Sequence, residues 1–130
     1  MIYIEDLLGV RYKDFGRDIK EGLDCLGLAI EVEKRFGNTL LDTPEALVRR
    51  KDRDCIEVRE KIENLEGENV IVVDKPEKEG DLILFNNSGV LNHCGVYLGD
   101  GLFIHCNIHG VHIEKINMFT SPIGKVYRWL

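Results

Sequence analysis

The hydrophobic period changes once along this 130-residue chain, just after Gly67, and no other feature restricts its fold so much. Before that point apolar residues recur at helical spacing. After it, "NVIVVD", "DLILFN", "CGVYLG", "LFIHCN", "VHIEKI" and "KVYRWL" are short β-branched or aromatic runs separated by Gly, Asn, Asp or Pro. Helices first and antiparallel strands after predict an α+β fold. With 44% hydrophobic residues the chain can bury one core unaided, so one domain over residues 1–130 is expected.

Two helices are predicted. In "GLDCLGLAIEVEKRFGN" Asp24 is an N-cap candidate and Gly37-Asn38 a stop, with Leu26, Ala29, Ile30, Val32 and Phe36 on the apolar side. The second starts at Thr43-Pro44, with proline at the first helical position. It carries Val48, Cys55, Val58, Ile62 and Leu65 at helical spacing and a solvated face that includes Glu57 and Lys61.

Charge and cysteine usage exclude several classes. A net charge of -6, with lysines and arginines scattered, argues against nucleic acid or an anionic membrane surface as partner. The amino terminus "MIYIEDLLGVRYKDF" has Glu5 and Asp6 where a secretory signal would carry a basic flank, and no apolar stretch approaches the ~20 residues of a membrane span. Cytoplasmic synthesis without a span is the expectation. Cys25, Cys55, Cys94 and Cys106 include no C-x-x-C pair, so reduced thiols are expected.

The stretch "NHCGVYLGDGLFIHC" decides which side chains can cooperate. A two-residue loop at Asp100-Gly101 would pair Gly99 with Leu102, and simple alternation would then send His93 and His105 to opposite faces. A three-residue loop with a bulge pairs Leu98 with Leu102 and Gly95 with His105 instead. His93 then lies diagonally across from His105, roughly 7 to 8 Å away between positions and within reach of long side chains. Cys94 and Cys106 share the other face, which weakens a zinc site built from histidines and thiols together. The two cysteines are read as small buried hydrophobes rather than a disulfide, and His109 and His112 as solvent-facing.

Cys25 is at the first position of the predicted helix, where free N–H groups and the macrodipole favour a thiolate. His93 could serve it as general base and His105 could orient the imidazole. Gly27 would let the helix pack closely on a strand. On spacing alone a buried structural Cys25 is the safer reading.

These residues resemble the NlpC/P60 cysteine peptidases. "LDCLGL" is similar to the family's Asp-Cys-Ser-Gly motif at Asp24, Cys25 and Gly27, and "HCGVYLG" to its His-Val-Gly-Ile-Tyr-Leu-Gly from His93 to Gly99. "FIHC" resembles the context of the third residue at His105, "GVRYKDFGR" the Tyr-x-x-Gly-Gly region at Tyr12 and Gly16, and "EGDLILF" the Gly-Asp step before the first barrel strand. Leu26 stands where the family usually has serine. Cysteine before histidine matches the unpermuted branch.

The resemblance implies a papain-like α+β fold, with helices packed on a small antiparallel sheet or barrel and a helical insert at about residues 40–69. It implies a cysteine endopeptidase with Cys25, His93 and His105 as catalytic residues, Tyr12 and Asp24 as substrate-binding residues, and no cofactor or metal. The implied partner is a peptidoglycan stem peptide or muropeptide, cut between D-glutamate and a diamino acid. Short phage tail proteins of the family lack an export signal too, so tail proteins are a further expected partner. The alternative is a non-catalytic structural module of a tail or secretion assembly.

Overall fold

The computed structural model describes residues 2–40, 69–87 and 90–130. The second predicted helix, with Thr43-Pro44, Cys55, Glu57 and Lys61, lies outside them, as does nearly all of the expected insert. A small hairpin of β1 (Arg17–Asp18) and β2 (Gly22–Leu23) leads into α1 (Cys25–Arg35). The strands are β3 (Val70–Val73), β4 (Leu82–Asn87), β5 (Val90–Gly99), β6 (Leu102–Asn107), β7 (Gly110–Lys115) and β8 (Ile123–Trp129). They form one antiparallel sheet in the order β3-β8-β4-β5-β6-β7. This is the α+β arrangement that the sequence pattern predicts and the papain-like one that the resemblance implies, with a single α-helix among the described residues.

Helix α1 starts and stops where expected. Asp24 is extended, and its carboxylate accepts from the Gly27 N–H at 2.7 Å; Gly37, at φ +89°, takes the left-handed position after the last turn. Leu26, Leu28, Ala29 and Val32 of α1 form one core with Leu82, Leu84, Cys94, Val96, Ile104 and Cys106 of the sheet. Burial of each large apolar side chain contributes about 1.5–3 kcal/mol, and this shared core fixes α1 on β5 and β6. The opposite face of the sheet has its own smaller core, with Ile83, Phe85, Tyr97 and Phe103 packed under Ile116, Phe119 and Ile123.

Strand β8 returns from the end of the chain to lie between β3 and β4, a placement held by a buried ion pair. Arg128 donates to both oxygens of Asp81, at 2.8 and 2.7 Å, while Asp81 Oδ2 also accepts from the Glu77 and Lys78 N–H groups. Asp81 is the acid of the Gly-Asp step, so that step clamps the returning strand.

Glu33 is a buried acid on the inner side of α1. Burial pushes its carboxyl up to about 8, the Asn38 hydrogen bond opposes this, and the charge of Asp81 adds to it. The folded protein therefore binds a proton that the unfolded chain releases near 4.5. Its contribution to stability is fully present below that pH and is lost as pH rises through about 8. A Glu33→Gln protein should accordingly gain in melting temperature over the parent as pH rises from 5 to 8, because one pKa unit corresponds to about 1.4 kcal/mol. Thermal unfolding across that range checks this; a difference independent of pH would show that Glu33 does not titrate in this way.

The hairpin between β5 and β6 corrects one expectation. Gly95 pairs with His105, as predicted, but Gly99 rather than Leu98 pairs with Leu102. The loop is the two-residue Asp100-Gly101, with φ of 55° and 77°, and the extra residue is Leu98, which bulges between Tyr97 and Gly99. The bulge, not a longer loop, restores the parity that puts both histidines on one face.

Candidate active site

The ladder sorts the side chains. Phe85 pairs with His93; Gly95 with His105 and His105 with His112; Tyr97 with Phe103 and Phe103 with Glu114. Directly paired residues share a face, so His93, His105, His112 and Glu114 stand on one side of the sheet. Gly95 makes the meeting of His93 and His105 possible. A Cβ there would lie 2.8 Å from the Phe103 ring and 3.3 Å from His105 Cβ, filling the space the rings use.

His93 Nε2 is 2.7 Å from His105 Nδ1, and His105 Nε2 is 2.5 Å from Glu114 Oε2. His105 is fully buried, and that desolvation pushes its pKa down to about 4 against the pull of the Glu114 hydrogen bond, so it is neutral near pH 7. Phe119 covers the pair, its ring centroid 5.1 Å from that of His105 and 6.3 Å from that of His93.

Cys25 opens α1, half-buried, and its carbonyl accepts from the Cys94 thiol at 3.4 Å. The Cys25 thiol is held well below the ordinary cysteine range. A hydrogen bond from Cys94 contributes most; burial opposes it, and the His93 imidazole lowers it further by hydrogen bond and by charge. Cys94 moves the opposite way, up, through that same pairing and its burial. The pairing thus favours the ionised form at the helix start and the protonated form at Cys94. Cys106 is also inert: buried, donating to the Leu23 carbonyl at 3.1 Å, and pushed up to about 12 by desolvation. Cys25, Cys94 and Cys106 are all free thiols.

Of the remaining candidates, Asp24 directly precedes Cys25. Asp24 is 3% exposed, and its Oδ1 accepts from both the Gly27 N–H and Arg17 Nη1, each at 2.7 Å. Burial raises its pKa, the charge of Cys25 adds to this, and Arg17 opposes. Tyr12 is half-buried against the main core, bridges to Leu23, and donates its hydroxyl to Asp14 at 2.5 Å. His109 is exposed, as expected. His112 is not merely solvent-facing: it is half-buried, its ring centroid lies 4.4 Å from that of His105, and Nε2 contacts Glu114 at 2.8 Å. Cross-strand pairing with His105 draws it inward. Glu114 escaped the sequence reading altogether, although carrying the Gly95–His105 register one strand further, through the Asn107–Gly110 turn, would have found both residues.

His105, His112 and Glu114 also present three potential metal-ligand atoms within 4.8 Å of one another. The Glu114 oxygen stands at hydrogen-bond distance from both nitrogens, in the space an ion would need.

Several known proteins are similar to this chain. Murein DD-endopeptidase MepS/murein LD-carboxypeptidase of Escherichia coli strain K12 is 30% identical over 114 residues, 86% of this chain and 50% of that protein. A probable endopeptidase of Mycobacterium tuberculosis is 27% identical over 106 residues, covering 82% of this chain and 22% of the relative. The chain thus spans half the length or less of these curated relatives. The crystal structure of an NlpC/P60 family protein from Bacillus cereus superposes on 95% of this chain and 37% of its own, with a TM-score of 0.67 and 26% identity. NlpC2 from Trichomonas vaginalis shares the fold, with a TM-score of 0.66 over 97% of this chain and 44% of its own at 21% identity. The NlpC/P60 family model matches residues 9–127, and the chain belongs to that family.

Proposed function

We propose that this protein is a cysteine peptidase that hydrolyses amide bonds in peptidoglycan stem peptides. The observation that carries the reading is the 2.7 Å contact of His93 Nε2 with His105 Nδ1 on one face of the sheet, and it is supported by a Cys25 thiol at the start of α1 that Cys94 and then His93 hold below the ordinary range. The names of the relatives, a murein endopeptidase among them, support the substrate class.

In the proposed reaction the Cys25 thiolate attacks the scissile carbonyl carbon. The oxyanion forms next to the Cys25 N–H, one of the unpaired donors at the start of α1. Protonated His93 gives its proton to the leaving nitrogen as the C–N bond breaks, and a thioester remains. A water molecule then attacks the thioester, giving up a proton to His93, and the acid product leaves with the thiolate restored. His105 holds the imidazole through Nε2. Asp24 acts first by capping α1 and so fixing Cys25, and both Asp24 and Tyr12 are proposed to contact the substrate peptide.

Mass spectrometry of defined muropeptides, incubated with the reduced protein, tests the proposal. Cleavage within the stem peptide, with a preference for the bond between D-glutamate and the diamino acid, is the expected result. Intact muropeptides of every stem composition would reject it.

A further inference from the structure

Resting on the peptidase reading for its chemistry, we infer that Glu114 is a positioning residue, the carboxylate that keeps the His105 proton on Nε2 and so leaves Nδ1 to accept from His93. Buried His105 is approached on both ring nitrogens, by His93 Nε2 at 2.7 Å and by Glu114 Oε2 at 2.5 Å. A neutral imidazole carries one proton, and an ionised carboxylate can only accept. The His105 proton therefore lies between Nε2 and Glu114, and the Nδ1 lone pair faces His93. His93 must then donate from Nε2. When neutral it keeps its own lone pair on Nδ1, the one ring nitrogen left to take a proton from Cys25.

Without Glu114 this order is no longer imposed. The His105 proton can move to Nδ1 and donate to His93 Nε2, which drives the His93 proton to Nδ1 and removes the base. The buried Nε2 would also lose its partner. Glu114 is itself held in place. Burial tends to raise its pKa, but the hydrogen bonds from His105 and His112 outweigh this and keep it below the usual carboxylate range. His112 Nδ1 lies 3.0 Å from the Gly110 carbonyl oxygen.

Long-range nitrogen–proton NMR of the histidine rings tests this in the full chain. In the parent, His105 should carry its proton on Nε2; in Glu114→Ala and Glu114→Gln the two tautomers should mix or reverse. The rate of Cys25 alkylation by iodoacetamide at neutral pH should fall about 10- to 100-fold in both variants, the usual cost of losing an outer partner of a working imidazole. In a His105→Asn background, whose amide oxygen accepts from His93 without any tautomer choice, Glu114→Ala should change that rate by less than about twofold. A parent His105 protonated on Nδ1, ring signals indifferent to Glu114, or an undiminished Glu114 effect beside Asn at 105 would each overturn the assignment. So would stoichiometric zinc binding by the parent that shifts the Nε2 signals of His105 and His112 and disappears with Glu114. The ring signals are read without substrate, so a parent with the expected tautomers and no muropeptide cleavage would reject the peptidase reading alone.

Discussion

A Cys25→Ala protein should fold like the parent and lose stem-peptide hydrolysis by at least ~10³-fold, the scale at which removal of a nucleophile leaves only binding and oxyanion contacts. The fold is expected to survive because position 25 is the first residue of α1, is half-buried, and is flanked by the residues that hold the helix start, Asp24 and Gly27. Alanine is a good helix former there. Loss of activity follows from the asymmetry among the described thiols: Cys25 lies well below the ordinary cysteine range, whereas Cys94 and Cys106 are buried and raised. Iodoacetamide at pH 6 should therefore modify one cysteine of the parent far faster than the rest, and Cys25→Ala should abolish that fast phase. His93→Ala should slow it as well, since the imidazole lowers the thiol by hydrogen bond and charge. Unfolding curves of parent and variant separate a lost nucleophile from a lost fold. Hydrolysis retained by folded Cys25→Ala would assign the chemistry to some other group.

How far this site could be foreseen depended on whether its determinants are local. Helix α1 could be bounded from Asp24, Gly37 and the apolar spacing because capping and turn conformation are decided within a few residues. Strands β4 to β8 could be recognised by alternation, for the same reason. The place of β8 could not: it depends on Arg128 reaching Asp81, residues 47 apart that no periodicity connects. The Leu98 bulge escaped for a different reason. A two-residue loop and a same-face histidine pair look incompatible until a bulge is allowed inside the strand, and Gly99, Asp100 and Gly101 all take positive φ to permit it. His112 and Glu114 were hidden by stopping the register at β6. The partnership of Cys25 with His93 lies furthest from local reading, since it needs α1 and β5 packed through a core that includes residues of both. The resemblance to a known family supplied what the residues alone left open.

A Gly27→Ala substitution should damage both stability and thiol reactivity, although helix propensity predicts a gain of about 1 kcal/mol. The reason is contact with backbone. A Cβ at position 27 would lie 2.1 Å from the Gly16 carbonyl oxygen and 3.2 Å from Arg17 Nη1. Gly16 cannot retreat, because a Cβ built on it is already only 2.2 Å from the Gly22 carbonyl oxygen, so the strand hairpin and the helix start are stacked at glycine-only distance. The methyl group must push α1 away from β1, and that movement breaks the bond from Arg17 to Asp24 and loosens the cap beneath Cys25. Overpacking of this kind costs about 1–3 kcal/mol or more. Set against the propensity gain of about 1 kcal/mol, the upper end of that range, which a 2.1 Å approach to backbone calls for, leaves a net loss of about 2 kcal/mol, a fall in melting temperature of roughly 5–10 °C for a chain of this size. Because the displaced element carries the sulfur, the fast alkylation of Cys25 should slow in the protein that remains folded. Thermal unfolding and alkylation below the melting transition measure the two effects separately. An unchanged or higher melting temperature would mean that α1 tolerates the extra carbon, and that the close approach at Gly16 is not what sets the nucleophile in place.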